Sequence, residues 1–69
     1  MTYNWILTNT WDGEHVAEFS TGHRISKDDA IKLCGGYYIG HIPPYDNHED
    51  YRIDGKDYYY DDLDLVMVE

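Results

Sequence analysis

Two short runs with apolar residues set among polar ones, Tyr3–Thr8 and Glu14–Ser20, lie on either side of Asp12-Gly13 and read as strands. Strand-like runs on both sides of an Asp-Gly pair predict an N-terminal β-hairpin. The pattern then changes. Ser26 stands as an N-cap with Asp29 three positions on, acids fall in the first turn, and Ala30, Ile31, Leu33 and Cys34 make an apolar side. Gly35-Gly36 stops the run, so a helix is predicted over about residues 26–34. Tyr37–Ile42 is β-rich and ends at Pro43, and Pro43–His48 reads as a loop. Asp50–Ile53 and a run beginning near Asp57 flank Asp54-Gly55, which is a second hairpin signal.

The last run resists simple alternation. Leu63, Leu65 and Met67 share one face, while Asp62, Asp64, Val66 and Val68 share the other, which begins acidic and turns apolar. A bulge, or burial of both faces near the end of the run, would reconcile this. The predicted fold is α+β: a mainly antiparallel sheet of four to five strands, with one short helix packed on one face. No repeat or linker divides the chain, so residues 1–69 are expected to form a single small acidic domain.

A chain of 69 residues buries only about 60% of the surface it exposes when unfolded. Its core must therefore be small and aromatic. Trp5, Trp11, Phe19 and the eight tyrosines suit that need, because each large ring removes roughly 150–250 Å² from water. Cys34 is the only cysteine, which excludes an internal disulfide and favours a reducing compartment. Met1–Trp5 has neither the basic nor the apolar region of an export signal, and no apolar run approaches the ~20 residues that span a bilayer. The expectation is a cytoplasmic protein.

Charge changes the picture most. From Asp46 onward the chain carries Asp46, Glu49, Asp50, Asp54, Asp57, Asp61, Asp62, Asp64 and Glu69 against only Arg52 and Lys56, a balance of −7 out of a total of −9. An acidic run usually reads as a disordered tail, yet this one is threaded with tyrosines and closes on Leu63–Val68. It has apolar surface to bury, so the prediction is a folded module with fixed negative charge outside. Direct binding to nucleic acid or an anionic membrane is not expected, because phosphate contact needs clustered Lys and Arg. A charged partner must be basic.

Alternate residues on a strand lie about 6.6–6.8 Å apart on one face, a spacing of the same order as successive phosphates. Asp62 and Asp64 meet that condition, Asp57 and Asp61 form a second row by parity, and Asp46, Glu49, Asp50 and Asp54 adjoin them on a loop and hairpin. Tyr58 and Tyr60 are candidate anchors between the acids, since interface energy concentrates in buried aromatic residues and arginine. The competing reading is an acidic surface that serves solubility alone.

Other chemistry finds little support. Asp50, Asp54, Gly55 and Asp61 match four positions of a calcium-loop template, but Arg52 stands where an oxygen ligand is required. His23, His41 and His48 with Cys34 show no zinc spacing. Cys34 falls at the predicted helix C-terminus, where the dipole disfavours a thiolate. No catalytic order or phosphate-cradling glycine loop is present, so no enzyme activity, metal or cofactor is expected.

The whole chain, notably Met1–Thr8 and Tyr58-Tyr59-Tyr60-Asp61-Asp62, resembles the phage and mobile-element anti-CRISPR proteins directed at type I-C surveillance complexes. The resemblance implies a non-catalytic inhibitor in the bacterial cytoplasm that binds the guide-loaded Cascade complex and keeps target DNA out, and a monomer is expected. Its partner would be the basic surface of a Cas protein that reads the duplex beside the target. The alternatives are a mimic aimed at a restriction enzyme or another host DNA-binding protein, and an interaction module that uses its aromatic surface.

Overall fold

The computed structural model describes residues 1–40 and 49–68. Six strands and one helix follow one another as β1 (Tyr3–Asn9), β2 (Glu14–Thr21), α1 (Lys27–Leu33), β3 (Tyr37–Gly40), β4 (Asp50–Ile53), β5 (Lys56–Tyr59) and β6 (Leu63–Val68), with a 3₁₀ turn at Tyr60–Asp62. They form two antiparallel three-stranded sheets, ordered β2-β1-β6 and β3-β4-β5. The α+β class is as expected, but the single sheet of four to five strands is not. The 3₁₀ turn separates β5 from β6 and lets β6 leave the second sheet to pair with β1, the first strand of the chain.

Local chemistry explains each element. β1 and β2 pair from Tyr3↔Thr21 to Asn9↔Glu14, with a bulge at the step from Leu7↔Ala17 to Thr8↔His15. The bulge leaves Val16 outside the one-to-one ladder, and that side chain packs against the core. The Ser26 hydroxyl accepts from Asp29 N–H at 3.2 Å, the N-cap bond that the sequence predicts. At the other end Gly35 N–H donates to the Lys32 carbonyl at 3.0 Å and Gly36 N–H to the Ile31 carbonyl at 2.8 Å, satisfying carbonyls that the helix leaves open. A Cβ on Gly36 would lie 2.7 Å from both Ile31 Cγ2 and Ile53 Cγ1, so the helix meets β4 only because position 36 has no side chain. The Asp54-Gly55 turn has φ values of 52° and 78°, the positive pair that a two-residue hairpin of type I′ requires.

Leu7 from β1, Ile31 from α1, Ile53 and Tyr58 from the second sheet and Leu63 from β6 form one buried cluster. Both sheets and the helix therefore share a core, and each aliphatic side chain fully removed from water contributes roughly 1.5–3 kcal/mol. Trp5 is buried as well, with its Nε1–H donating to Thr21 Oγ1 at 2.7 Å. Trp11 departs from the expected core: it is 81% exposed. The final strand also differs from expectation. β6 runs in unbroken register with β1 from Asn9↔Leu63 to Asn4↔Val68, so neither a bulge nor two-sided burial occurs, and Val66, Met67 and Val68 remain exposed.

Candidate anionic docking site

The β1–β2 turn is tied down on two sides. Asn9 Oδ1 accepts from Trp11 N–H at 3.2 Å, Asp12 Oδ1 from Glu14 N–H at 2.9 Å, and the Asn9 carbonyl from Gly13 N–H at 2.8 Å. Thr10 then fastens the turn to the far end of the chain, donating N–H and Oγ1–H to the Asp62 carbonyl at 2.7 and 2.8 Å. Asp62 and the turn acids thereby become neighbours, although some fifty residues separate them.

Between this turn and β5 lies a groove of about 430 Å³. Trp11, Asp12 and Glu14 line it from the turn, Lys56, Asp57 and Tyr59 from β5, and Asp62 from the 3₁₀ turn. Two of its acids have cationic partners. Lys56 Nζ meets Glu14 Oε1 at 3.1 Å, a contact that joins the two sheets and raises the Lys56 pKa. Arg52 grips Asp57 with Nε–H to Oδ1 at 2.7 Å and a second, longer donor at 3.4 Å. The Arg52 hydrogen bond holds the Asp57 carboxyl below its usual range, and the same pairing, assisted by Tyr37, pushes the guanidinium pKa up. Asp12 and Asp62 form no ion pair within 4 Å among the described residues, although Asp12 lies near enough to Lys56 to add to the rise in its pKa.

A second aromatic and acidic region lies along α1 and β4. Tyr38, Tyr51 and Tyr60 form a chain of rings with centroids 5.5 and 5.4 Å apart. Lys27 Nζ sits 3.9 Å from the Tyr60 ring centroid and donates to the carbonyls of Tyr60 and Leu63, both at 2.9 Å. The Tyr60 hydroxyl hydrogen-bonds Asp28, and that bond, with burial second, pushes its pKa up to about 12. Burial, with Asp28 and Glu49 nearby, likewise raises Tyr51.

Each predicted acid among the described residues has a definite place. Asp57 and Asp62 line the groove, Asp61 and Asp64 are exposed on the adjoining turn and strand, and Glu49 flanks the tyrosine chain. Asp54 occupies the apex of the β4–β5 turn. Asp46 and Glu69 lie outside the described residues, as does the Pro43–His48 loop. Asp50 needs correction: it is completely buried, so it presents no charge to a partner. Tyr58 is also corrected, because at 7% exposure it belongs to the core, where burial raises its pKa. Tyr60 is half-buried and engaged by Lys27 and Asp28. The two predicted rows do not continue along one strand, since Tyr60–Asp62 is a 3₁₀ turn and breaks the parity that would link Asp57 to Asp61.

Sequence reasoning missed Trp11, Asp12 and Glu14. The available signal was the Asp12-Gly13 turn itself, since a side chain at a hairpin apex is far from a core between sheets. Residues 50–61 make a hairpin and a 3₁₀ turn, without the flanking helices of a calcium loop. Among the described residues no group of three His, Cys, Asp or Glu side chains is placed to hold a metal ion, and no helix is long and apolar enough to cross a membrane. Cys34 is the C-cap of α1, and burial raises its thiol pKa. No protein-family model, curated protein or solved structure matches the chain.

Proposed function

We propose that this chain is an anti-CRISPR inhibitor that binds the type I-C Cascade complex in the bacterial cytoplasm and blocks target DNA by presenting an anionic surface to a basic one. The observation that carries the reading is how the cations are used. Of the five Lys and Arg residues, Lys27 is bound to backbone carbonyls, Arg52 to Asp57 and Lys56 to Glu14. Arg24 and Lys32, beside and on α1, are exposed. The excess negative charge therefore faces outward with little to cancel it.

Magnitudes support a partial mimic. The molecule measures 43 × 20 × 19 Å and carries a net charge of −9, roughly one charge per 5 Å of length against one per about 1.7 Å of duplex. It matches the sign of DNA at about a third of its linear density, so position must do what density cannot. Hydrogen bonds that join the N-terminal turn to Asp62 hold the acids in place before binding, which reduces the entropy lost on docking. The observed placement offers Asp12, Asp61, Asp62 and Asp64 around one end of the first sheet.

A mobility-shift assay with purified type I-C Cascade and target duplex tests the proposal. Preincubation with the chain is expected to abolish the shifted band, and Asp61→Asn, Asp62→Asn and Asp64→Asn combined should restore it. Unchanged DNA binding at saturating protein overturns the reading.

A further inference from the structure

Charge alone leaves Trp11 unexplained. Its indole is 81% exposed while the backbone around it is held by the bonds of Asn9, Thr10 and Asp12 described above. A large ring in water on a fixed turn needs little ordering when a partner covers it. It lines the 430 Å³ groove together with Tyr59, and most of the exposed groove surface is apolar. The groove's own cation, Lys56, is in contact with Glu14, and Asp57 is paired with Arg52, so Asp12, which feels Lys56 only at a distance, and Asp62 are the groove carboxylates with no direct ion pair among the described residues.

We infer that this groove is the docking site for an arginine side chain of the protein partner, with the Trp11 indole against the guanidinium plane and the carboxylates of Asp12 and Asp62 accepting its N–H donors. The inference rests on the proposed binding of a basic protein surface and adds its anchor point. Charge complementarity requires a cation, and the aromatic lining selects which one. A guanidinium is planar, weakly hydrated and able to stack on a ring while its edge meets carboxylates, whereas an ammonium is compact and keeps its water. Arginine is also a residue that surfaces use to grip phosphate, so a receptor for one competes directly with the DNA backbone.

The full chain is titrated calorimetrically with tetra-arginine and tetra-lysine peptides at low ionic strength, and tryptophan emission is followed in parallel. Emission reports on the groove because Trp5, the other indole, is only 6% exposed. Arginine peptide is expected to bind about tenfold more tightly than lysine peptide and to change the emission. Trp11→Ala should remove that preference, and Asp12→Asn with Asp62→Asn should weaken arginine peptide more than Asp29→Asn with Asp54→Asn, which removes equal charge elsewhere. Equal affinity for the two peptides, or a preference that survives Trp11→Ala, overturns the inference. The same variants in the Cascade assay separate the two claims. If the chain blocks DNA binding and Trp11→Ala blocks it equally well, the groove is wrong and the inhibitor reading stands. If Cascade is unaffected yet the arginine preference depends on Trp11, the target is wrong and the groove stands.

Discussion

The turn groove and the tyrosine chain are both aromatic and acidic, yet they spend those residues differently. Along α1 and β4 the rings of Tyr38, Tyr51 and Tyr60 lie against one another, Asp28 accepts from the Tyr60 hydroxyl, and Lys27 supplies the positive charge from within the chain. At the β1–β2 turn the Trp11 ring projects into water and Asp12 and Asp62 form no direct ion pair among the described residues. In the first, the polar groups of Lys27 and Tyr60 are satisfied within the chain and serve the fold, although the Tyr38 ring at its edge stays exposed. In the second, the unmet interactions are those a basic partner would complete. Composition alone does not separate them, because each region holds a lysine: Lys27 closes one, whereas Lys56 is taken up by Glu14 and leaves the other with an excess of acid.

Variants that break one region should leave the other intact. The largest effect on stability is expected from Lys27→Met, which removes two donors from the carbonyls of Tyr60 and Leu63. A loss of about 2–3 kcal/mol follows from hydrogen bonds made by a charged group, read as a fall of more than roughly 10 °C in thermal midpoint for a domain of this size. Folded Lys27→Met should still inhibit. Alkaline titration sharpens the same side. Because the Tyr60 pKa is raised from 10.0 to about 12 in the fold, its contribution is complete below pH 10 and is lost as pH rises toward 12. Asp28→Asn removes the largest cause of that rise, so the stability loss over that interval, followed by circular dichroism, should shrink. The smallest effect on stability belongs to Trp11→Ala, within about 0.5 kcal/mol because the ring is exposed, although binding should suffer. A thermal midpoint that fell as far for Trp11→Ala as for Lys27→Met would erase the distinction.

Much of the local structure was legible in the chain. Asp12-Gly13, Asp54-Gly55 and Ser26 with Gly35 marked two hairpins and a helix because turn and cap chemistry acts over a few residues. What lay hidden depends on long-range pairing. Nothing between Tyr59 and Leu63 announces a 3₁₀ turn, yet that turn sends β6 to β1 and divides the expected sheet in two. The same limit explains the site. Asp50 looks like any other acid in the C-terminal third but is buried at the start of β4, and Asp12 joins Asp62 only through the Thr10 bonds across the first sheet. Segregated charge along the sequence pointed to an anionic surface. It did not reveal that the N-terminal turn supplies part of it.

Salt dependence of Cascade binding tests the central claim most directly, because attraction between exposed charges is screened over about 10 Å at 0.1 M salt. The account predicts that affinity falls on the order of 10–100-fold between about 50 and 200 mM salt, and that Asp12→Asn, Asp62→Asn and Asp64→Asn together flatten the slope. An affinity that stays constant across that range, with the same slope in the neutralised variant, would contradict it.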